Sequence, residues 1–278
     1  MESVPPRLTV PPLLRDPAIG PGRTRCWVHL LLIAAYPVVI GVVSAGHGQP
    51  AKPALGADAR QLLQVSSLEI GLFTLVFGLA WIASRVSRQE LLLSWRGGWR
   101  PIPLGLAYSL ALRIALAVVT GGIGALLIIT RVLTADQLQN FLLANQPNVS
   151  AIVDVAALKT HPFYFWLNLT LVSFVIGGLR EELWRAAFLA GLRRLWSVWF
   201  GSQSGAILAV AIASVAFGLG HLVQGPLAVC FTTLLGFGLG LIMVLHRSIW
   251  PAVLAHGFFN ATSFALIPFA LEKLPGIK

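Results

Sequence analysis

What most restricts this chain is a succession of long apolar runs from which charge is nearly absent. They lie at 27–45, 68–84, 103–130, 162 to about 190, 205–222, 227–245 and 251–271. A helix needs about 20 apolar residues to cross roughly 30 Å of hydrocarbon, and it satisfies its own backbone donors and acceptors on the way. The pattern therefore predicts an all-α fold, a polytopic transmembrane helical bundle of about seven spans. The first run also admits a signal peptide cleaved after Val43-Ser44-Ala45, but it exceeds the roughly 7–15 apolar residues of a signal core and reads as a retained helix.

Composition agrees. Of 278 residues, 56% are hydrophobic and 11% charged, against about 25% charged in soluble domains. Such a chain has too much apolar surface to be disordered, and its two cysteines, Cys26 and Cys230, exclude a disulfide framework and a cysteine-built zinc finger. The net charge of +10 raises the question of nucleic acid, and the distribution of basic residues answers it. Arg7, Arg15, Arg23, Arg25, Arg85, Arg88, Arg96, Arg100, Arg193, Arg194 and Arg247 flank one set of span ends; Lys52, Arg60, Arg131, Lys159, Lys273 and Lys278 flank the other. Positive residues mark the cytoplasmic side, so the amino terminus is expected inside and the carboxyl terminus outside. The charge reads as topology and contact with anionic membrane lipid, with no nucleic-acid partner.

The chain divides accordingly into a flexible, basic, Pro-rich cytoplasmic arm over 1–26, transmembrane helices and an outer loop over 27–162, and a second transmembrane unit over 163–271. Within the loop, 136–144 has helical spacing suited to the outer interface. Gly236-Phe-Gly-Leu-Gly240 lies in an apolar span with no lysine following, so it predicts a small-residue face for close helix packing rather than a phosphate loop. The sequons at Asn148, Asn168 and Asn260 carry no weight, because the last two fall in spans.

Inside lipid, ionisable residues are the informative ones, since each costs on the order of 2.5–3.5 kcal/mol at a helix centre. Arg113 and His29 stand alone and read as packing residues, Arg113 snorkelling or bonding a carbonyl and His29 reaching the interface. Glu181 and Glu182 differ, being adjacent, mutually repulsive and poorly solvated. Arg185 follows at helical spacing from both and can neutralise either; the alternative is a solvated helix end where charges cancel. His221 in the fifth span, and His256 with Asn260 on one face of the seventh, add the polar groups that a single buried site would gather.

These residues fall in an order that resembles the CPBP intramembrane proteases, which include type II CAAX prenyl endopeptidases and bacterial abortive-infection and bacteriocin-immunity proteins. The family pattern Glu-Glu-x-x-x-Arg, Phe-x-x-x-His, His-x-x-x-Asn is met here by Glu181-Glu-Leu-Trp-Arg185, Phe217-Gly-Leu-Gly-His221 and His256-Gly-Phe-Phe-Asn260. The Arg stands one residue early, where the family position is Ala186, a turn of about 100° around the helix. The likeness covers about 163–268 and implies an integral membrane peptidase, of a bacterial plasma membrane, acting on a membrane-associated peptide or protein, with 163–271 as its catalytic core.

It further implies catalytic roles for Glu181, Glu182, His221, His256 and Asn260, supported by Arg185 and Phe217. Glu181 and His221 would activate a water, and His256 with Asn260 would stabilise the oxyanion. Chemistry needs such groups for peptide hydrolysis: a base, and fixed donors for the developing negative oxygen. A metal-free mechanism without cofactor is preferred because no HExxH pair is present. Zinc on Glu181, His221 and His256 is the alternative, since two imidazoles and a carboxylate leave a position for water. Two non-enzymatic readings compete: an inactive immunity or interaction protein on this scaffold, and a small proton-coupled transporter.

Overall fold

The computed structural model describes residues 22–46, 53–95 and 97–273. Residues 1–21 of the arm expected over 1–26, and with them Arg7 and Arg15, as well as Lys52, Arg96 and Lys278 of the charge pattern, lie outside the described residues. The chain forms helices throughout, with no strand among the described residues. In order they are α1 (Arg23–Gly46), α2 (Ala59–Ser84), α3 (Pro101–Ile129), α4 (Ala135–Ala144), α5 (Val155–Thr160), α6 (Pro162–Leu167), a π-helical stretch (Asn168–Arg180), α7 (Glu181–Leu195), α8 (Ser197–Phe200), α9 (Gln203–Leu219), α10 (Pro226–His246) and α11 (Trp250–Lys273).

Local chemistry sets the boundaries. Asp58 caps α2 by accepting from the Gln61 amide at 2.9 Å, which starts this helix well before 68. Thr134 and Gln137 form a capping box on α4, the helix expected at 136–144. Proline occupies the first position of α3, α6 and α10, where its missing N–H is no loss. Ser202 caps α9 by accepting from the Gly205 amide at 3.0 Å. α1 begins at Arg23 rather than at 27.

Six helical segments are long and apolar enough to cross a membrane, with α6, the π stretch and α7 forming one continuous span, Pro162–Leu195. The fifth apolar run forms α9, a shorter helix of 17 residues, about 26 Å long. It stops at Leu219, not at 222, and His221 lies in the turn beyond it rather than within the span. The cause is His221 itself. Its backbone amide takes the Gly218 carbonyl at 2.9 Å, a three-residue step that tightens the turn. Its ring Nδ1 donates to the Phe217 carbonyl at 3.0 Å.

The helices share two ends. At one, Trp250 Nε1 donates to the Leu93 carbonyl at 3.1 Å, the Ile249 amide to Leu92 at 2.9 Å, and Arg194 Nε to Glu90 at 2.7 Å. At the other, the Ala54 and Leu55 amides bond Ala151 and Ile152, and the Tyr164 hydroxyl donates to the Gly56 carbonyl at 2.9 Å. Between them Ile33, Phe73, Trp184, Ala187 and Ala213 pack α1, α2, α7 and α9 into one core. Leu112, Ala186, Leu239 and Val253 join α3, α7, α10 and α11 in a second. Outward-facing residues of α3, such as Leu106, Leu110, Ile114 and Val118, are exposed and apolar, as lipid contact requires. A side-chain carbon at Gly236 would meet the Phe217 ring and one at Gly240 would meet Val210. This is the expected small-residue face of α10 pressed on α9.

Two residues that appear solitary in sequence are tied into the bundle. His29 is buried, its Nδ1 2.9 Å from Ser84 Oγ and 3.0 Å from the Ala80 carbonyl, its Nε2 2.9 Å from the Ala187 carbonyl. It joins α1 to α2 and α7 instead of reaching the interface. Arg113 does bond a carbonyl: its Nη2 donates to Phe259 and to the Thr262 and Ser263 hydroxyls, and its guanidinium lies 4.1 Å from the Phe259 ring centroid.

Candidate active site

The site is assembled where the first turn of α7 meets α11. The two helices run antiparallel, so that Gly178 lies against Val253 and Gly177 against Asn260. Close approach needs those glycines: a Cβ at Gly178 would stand 2.8 Å from the Val253 carbonyl oxygen, and one at Gly177 would strike Asn260 Nδ2. Both belong to the π-helical stretch, in which the Ser173 hydroxyl also donates to the carbonyl of Asn168 at 2.7 Å, five residues back. π geometry inside a helix is often found next to functional groups.

Glu182 is completely buried. Arg185, equally buried, donates Nη1 to its Oε2, and His256 Nδ1 lies 3.0 Å from its Oε1. Removing two charges from water is tolerable only with partners of this quality. Arg185 completes its contacts by placing its guanidinium 4.6 Å from the Phe217 ring centroid, a cation–π contact, while its Nε and Nη2 find no hydrogen-bond partner among the described residues. The early position of Arg185 thus has a definite outcome: it serves Glu182. The cluster is no solvated helix end.

Glu181 is placed differently. Its side chain keeps 19% of its surface exposed, its Oε1 accepts from Arg180 Nη2 at 3.0 Å, and its Oε2 lies 3.8 Å from His256 Nε2. That last gap exceeds a direct hydrogen bond and is one a water could bridge. The two adjacent carboxylates therefore differ in kind, Glu182 sealed and Glu181 open.

Phe217 joins the remaining parts. Its ring lies 4.8 Å from that of His221 and 6.1 Å from that of His256, centroid to centroid. His221 is half-buried, its Nδ1 committed to the Phe217 carbonyl and its Nε2 without a hydrogen-bond partner among the described residues. Asn260 follows His256 by one turn of α11, half-buried against Gly177, and makes no hydrogen bond to the other site residues. So Glu181, Glu182, Arg185, His256 and Phe217 form one contact network, His221 reaches it through Phe217, and Asn260 stands beside it. Among the described residues no three His, Cys, Asp or Glu side chains are grouped to hold a metal ion.

Sequence reasoning overlooked one side of the site. Arg180 Nη1 donates to Glu69 Oε2 at 2.7 Å and to the Tyr36 hydroxyl at 3.4 Å, and Tyr36 donates to the Glu69 carbonyl at 3.4 Å. Glu69 sits near the middle of α2. A span taken to start at 68 places Glu69 at the interface, where a carboxylate draws no attention; the Asp58 cap moves the start back and puts it in the membrane-spanning part.

Compared with known proteins, residues 162–262 match the family model described as Type II CAAX prenyl endopeptidase Rce1-like. No curated protein and no solved structure gives a significant match. The matched residues include Glu181, Glu182, Arg185, Phe217, His221, His256 and Asn260, and the site is built within them apart from Tyr36 and Glu69. Residues 162–262 of this membrane-spanning chain are thus similar to the Rce1-like type II CAAX prenyl endopeptidase family.

Proposed function

We propose that this protein is an intramembrane endopeptidase that hydrolyses a peptide bond of a membrane-associated, CAAX-type prenylated substrate by a metal-free glutamate mechanism. The observation that carries the reading is the contrast between Glu182, sealed by Arg185 and His256, and Glu181, open on one oxygen and facing the same imidazole. A water lying about 2.8 Å from both Glu181 Oε2 and His256 Nε2 would be held by ordinary hydrogen bonds. Glu181 takes its proton, and the oxygen adds to the scissile carbonyl carbon. His221, through its Nε2, assists that transfer.

The carbonyl oxygen becomes negative and needs donors fixed in advance. Asn260 supplies an amide N–H. His256, oriented by Glu182 at Nδ1, supplies a second donor when Nε2 carries a proton. Collapse of the tetrahedral intermediate breaks the C–N bond, and the proton held by Glu181 passes to the departing amine. Glu182 holds the imidazole in one orientation, as the third member of a nucleophile–base array does. By the charge pattern the amino terminus and the Arg-rich end of the bundle are cytoplasmic, and residues 163–271 act as the catalytic core.

The test uses an internally quenched farnesylated peptide with full-length protein in detergent. Wild type should release fluorescence, and Glu181→Ala and His221→Ala should abolish it at equal folded amounts. If wild type and Glu181→Ala give the same trace, the peptidase reading fails. A chelator arm tests the metal-free part: loss of cleavage restored only by added zinc would replace the glutamate mechanism by zinc chemistry.

A further inference from the structure

Glu69 has no role in the reaction just described, lies outside the matched residues 162–262, and is a carboxylate in the middle of a membrane-spanning helix. Its position is explained by what it holds. Arg180 offers two terminal nitrogens, and a guanidinium beside a single carboxylate prefers to engage both its oxygens in parallel. Here it does not. Nη1 goes to Glu69 at 2.7 Å, and Nη2 alone reaches Glu181, through Oε1 at 3.0 Å. Tyr36 stands on both members of the Glu69 arm, accepting from Arg180 Nη1 and donating to the Glu69 backbone carbonyl.

Charge leads to the same point. Three carboxylates, Glu69, Glu181 and Glu182, meet two guanidiniums, Arg180 and Arg185. Arg185 is committed to Glu182, so Arg180 is divided between the other two. Without Glu69, Arg180 would fall on Glu181 alone, cover both of its oxygens and draw Oε2 away from His256 Nε2. Glu181 would then be a tightly paired anion with no free oxygen for a water.

We propose that Glu69, steadied by Tyr36, is a positioning residue that restrains Arg180 so that it grips Glu181 by one oxygen only and leaves the other for the water. This rests on the peptidase reading and extends it: helices α1 and α2, outside the matched domain, complete the active site.

The experiment uses full-length protein in detergent and the farnesylated quenched peptide, with kcat and KM measured separately. Glu69→Gln keeps an acceptor for Arg180 but removes the charge that competes for it. It should lower kcat roughly 10- to 100-fold with KM within about twofold, as expected when a reacting group is misplaced rather than substrate binding weakened. Glu69→Asp, charged but one methylene shorter, should recover part of that loss. Glu69→Gln with wild-type kcat, while Glu181→Ala is inactive, overturns this inference and leaves the peptidase reading standing. Equal traces from wild type and Glu181→Ala overturn both. If Glu69→Gln does not yield folded protein, the uncharged and similarly sized Glu69→Met decides, and wild-type kcat in that variant overturns the inference.

Discussion

His256 Nδ1 and Glu182 Oε1 lie 3.0 Å apart across the contact between α11 and α7, and neither residue has appreciable access to solvent. Fully buried, with Arg185 on the other carboxylate oxygen, Glu182 is closed off from a substrate. Glu182→Ala should therefore act first on the fold, leaving a buried guanidinium unpaired at a cost of about 3–5 kcal/mol. Glu181→Ala should abolish peptide cleavage with only a small change in thermal stability. Melting curves in detergent beside cleavage rates separate the two; equal destabilisation would contradict the division of labour.

Gly177 and Gly178 are neighbours whose substitution should have unlike effects. A methyl group at Gly178 meets the backbone oxygen of Val253, which cannot swing aside, so Gly178→Ala should cost about 1–3 kcal/mol by forcing the helices apart. At Gly177 the obstacle is the Asn260 side chain, which can rotate. Gly177→Ala should keep most of the stability and lose kcat, since the oxyanion donor is displaced. Thermal unfolding paired with kinetics checks both.

Glu90 lies in the loop after α2, outside the spans. Burial alone would raise its carboxyl, but the hydrogen bonds from Arg194, at 2.7 and 2.8 Å, and those from the Ser87 amide and hydroxyl hold it below the ordinary value. A carboxyl depressed in the folded state stabilises fully above its unfolded value of about 4.3 and loses that contribution as pH falls through the lower, folded value. Glu90→Gln should thus melt below wild type near neutral pH, by an amount equivalent to about 1.5–3 kcal/mol. The gap should close in acid. A gap unchanged between about pH 7 and pH 3 would refute the assignment.

His29→Ala removes the ring that spans α1, α2 and α7. It should cost about 1–3 kcal/mol for each buried partner left bare, while cleavage per folded molecule stays near wild type, because His29 touches none of the site residues. Active-site titration against total folded protein measures this; a selective fall in turnover would show a closer connection than the contacts suggest.

Hydropathy made the bundle legible because lipid leaves the backbone one choice, and the runs at 103–130 and 227–245 became α3 and α10 within a residue or two. Span ends were less legible. Asp58 extends α2 backwards through a cap that apolarity does not register, and His221 ends α9 early with its own ring. The contact of Glu182 with Arg185 and His256 was foreshadowed by the sequence, because polar groups in lipid must find one another; Asn260 stands beside that cluster without a hydrogen bond to it. Which carboxylate Arg185 serves was not readable, since its spacing from both suits a helix. The Tyr36–Glu69–Arg180 arm was hidden for a different reason: its members come from three helices, and only packing brings them together.

The π-helical stretch has one more consequence. Tyr164 anchors the start of the fourth span through its hydroxyl on Gly56, and the site begins at the first residue past the wide coil. The compass bearing of Glu181 is therefore fixed by how many residues are wound between those two points. Excising a single residue from Asn168–Arg180 would swing the carboxylate by roughly a quarter turn, away from His256, with every catalytic side chain still in the chain.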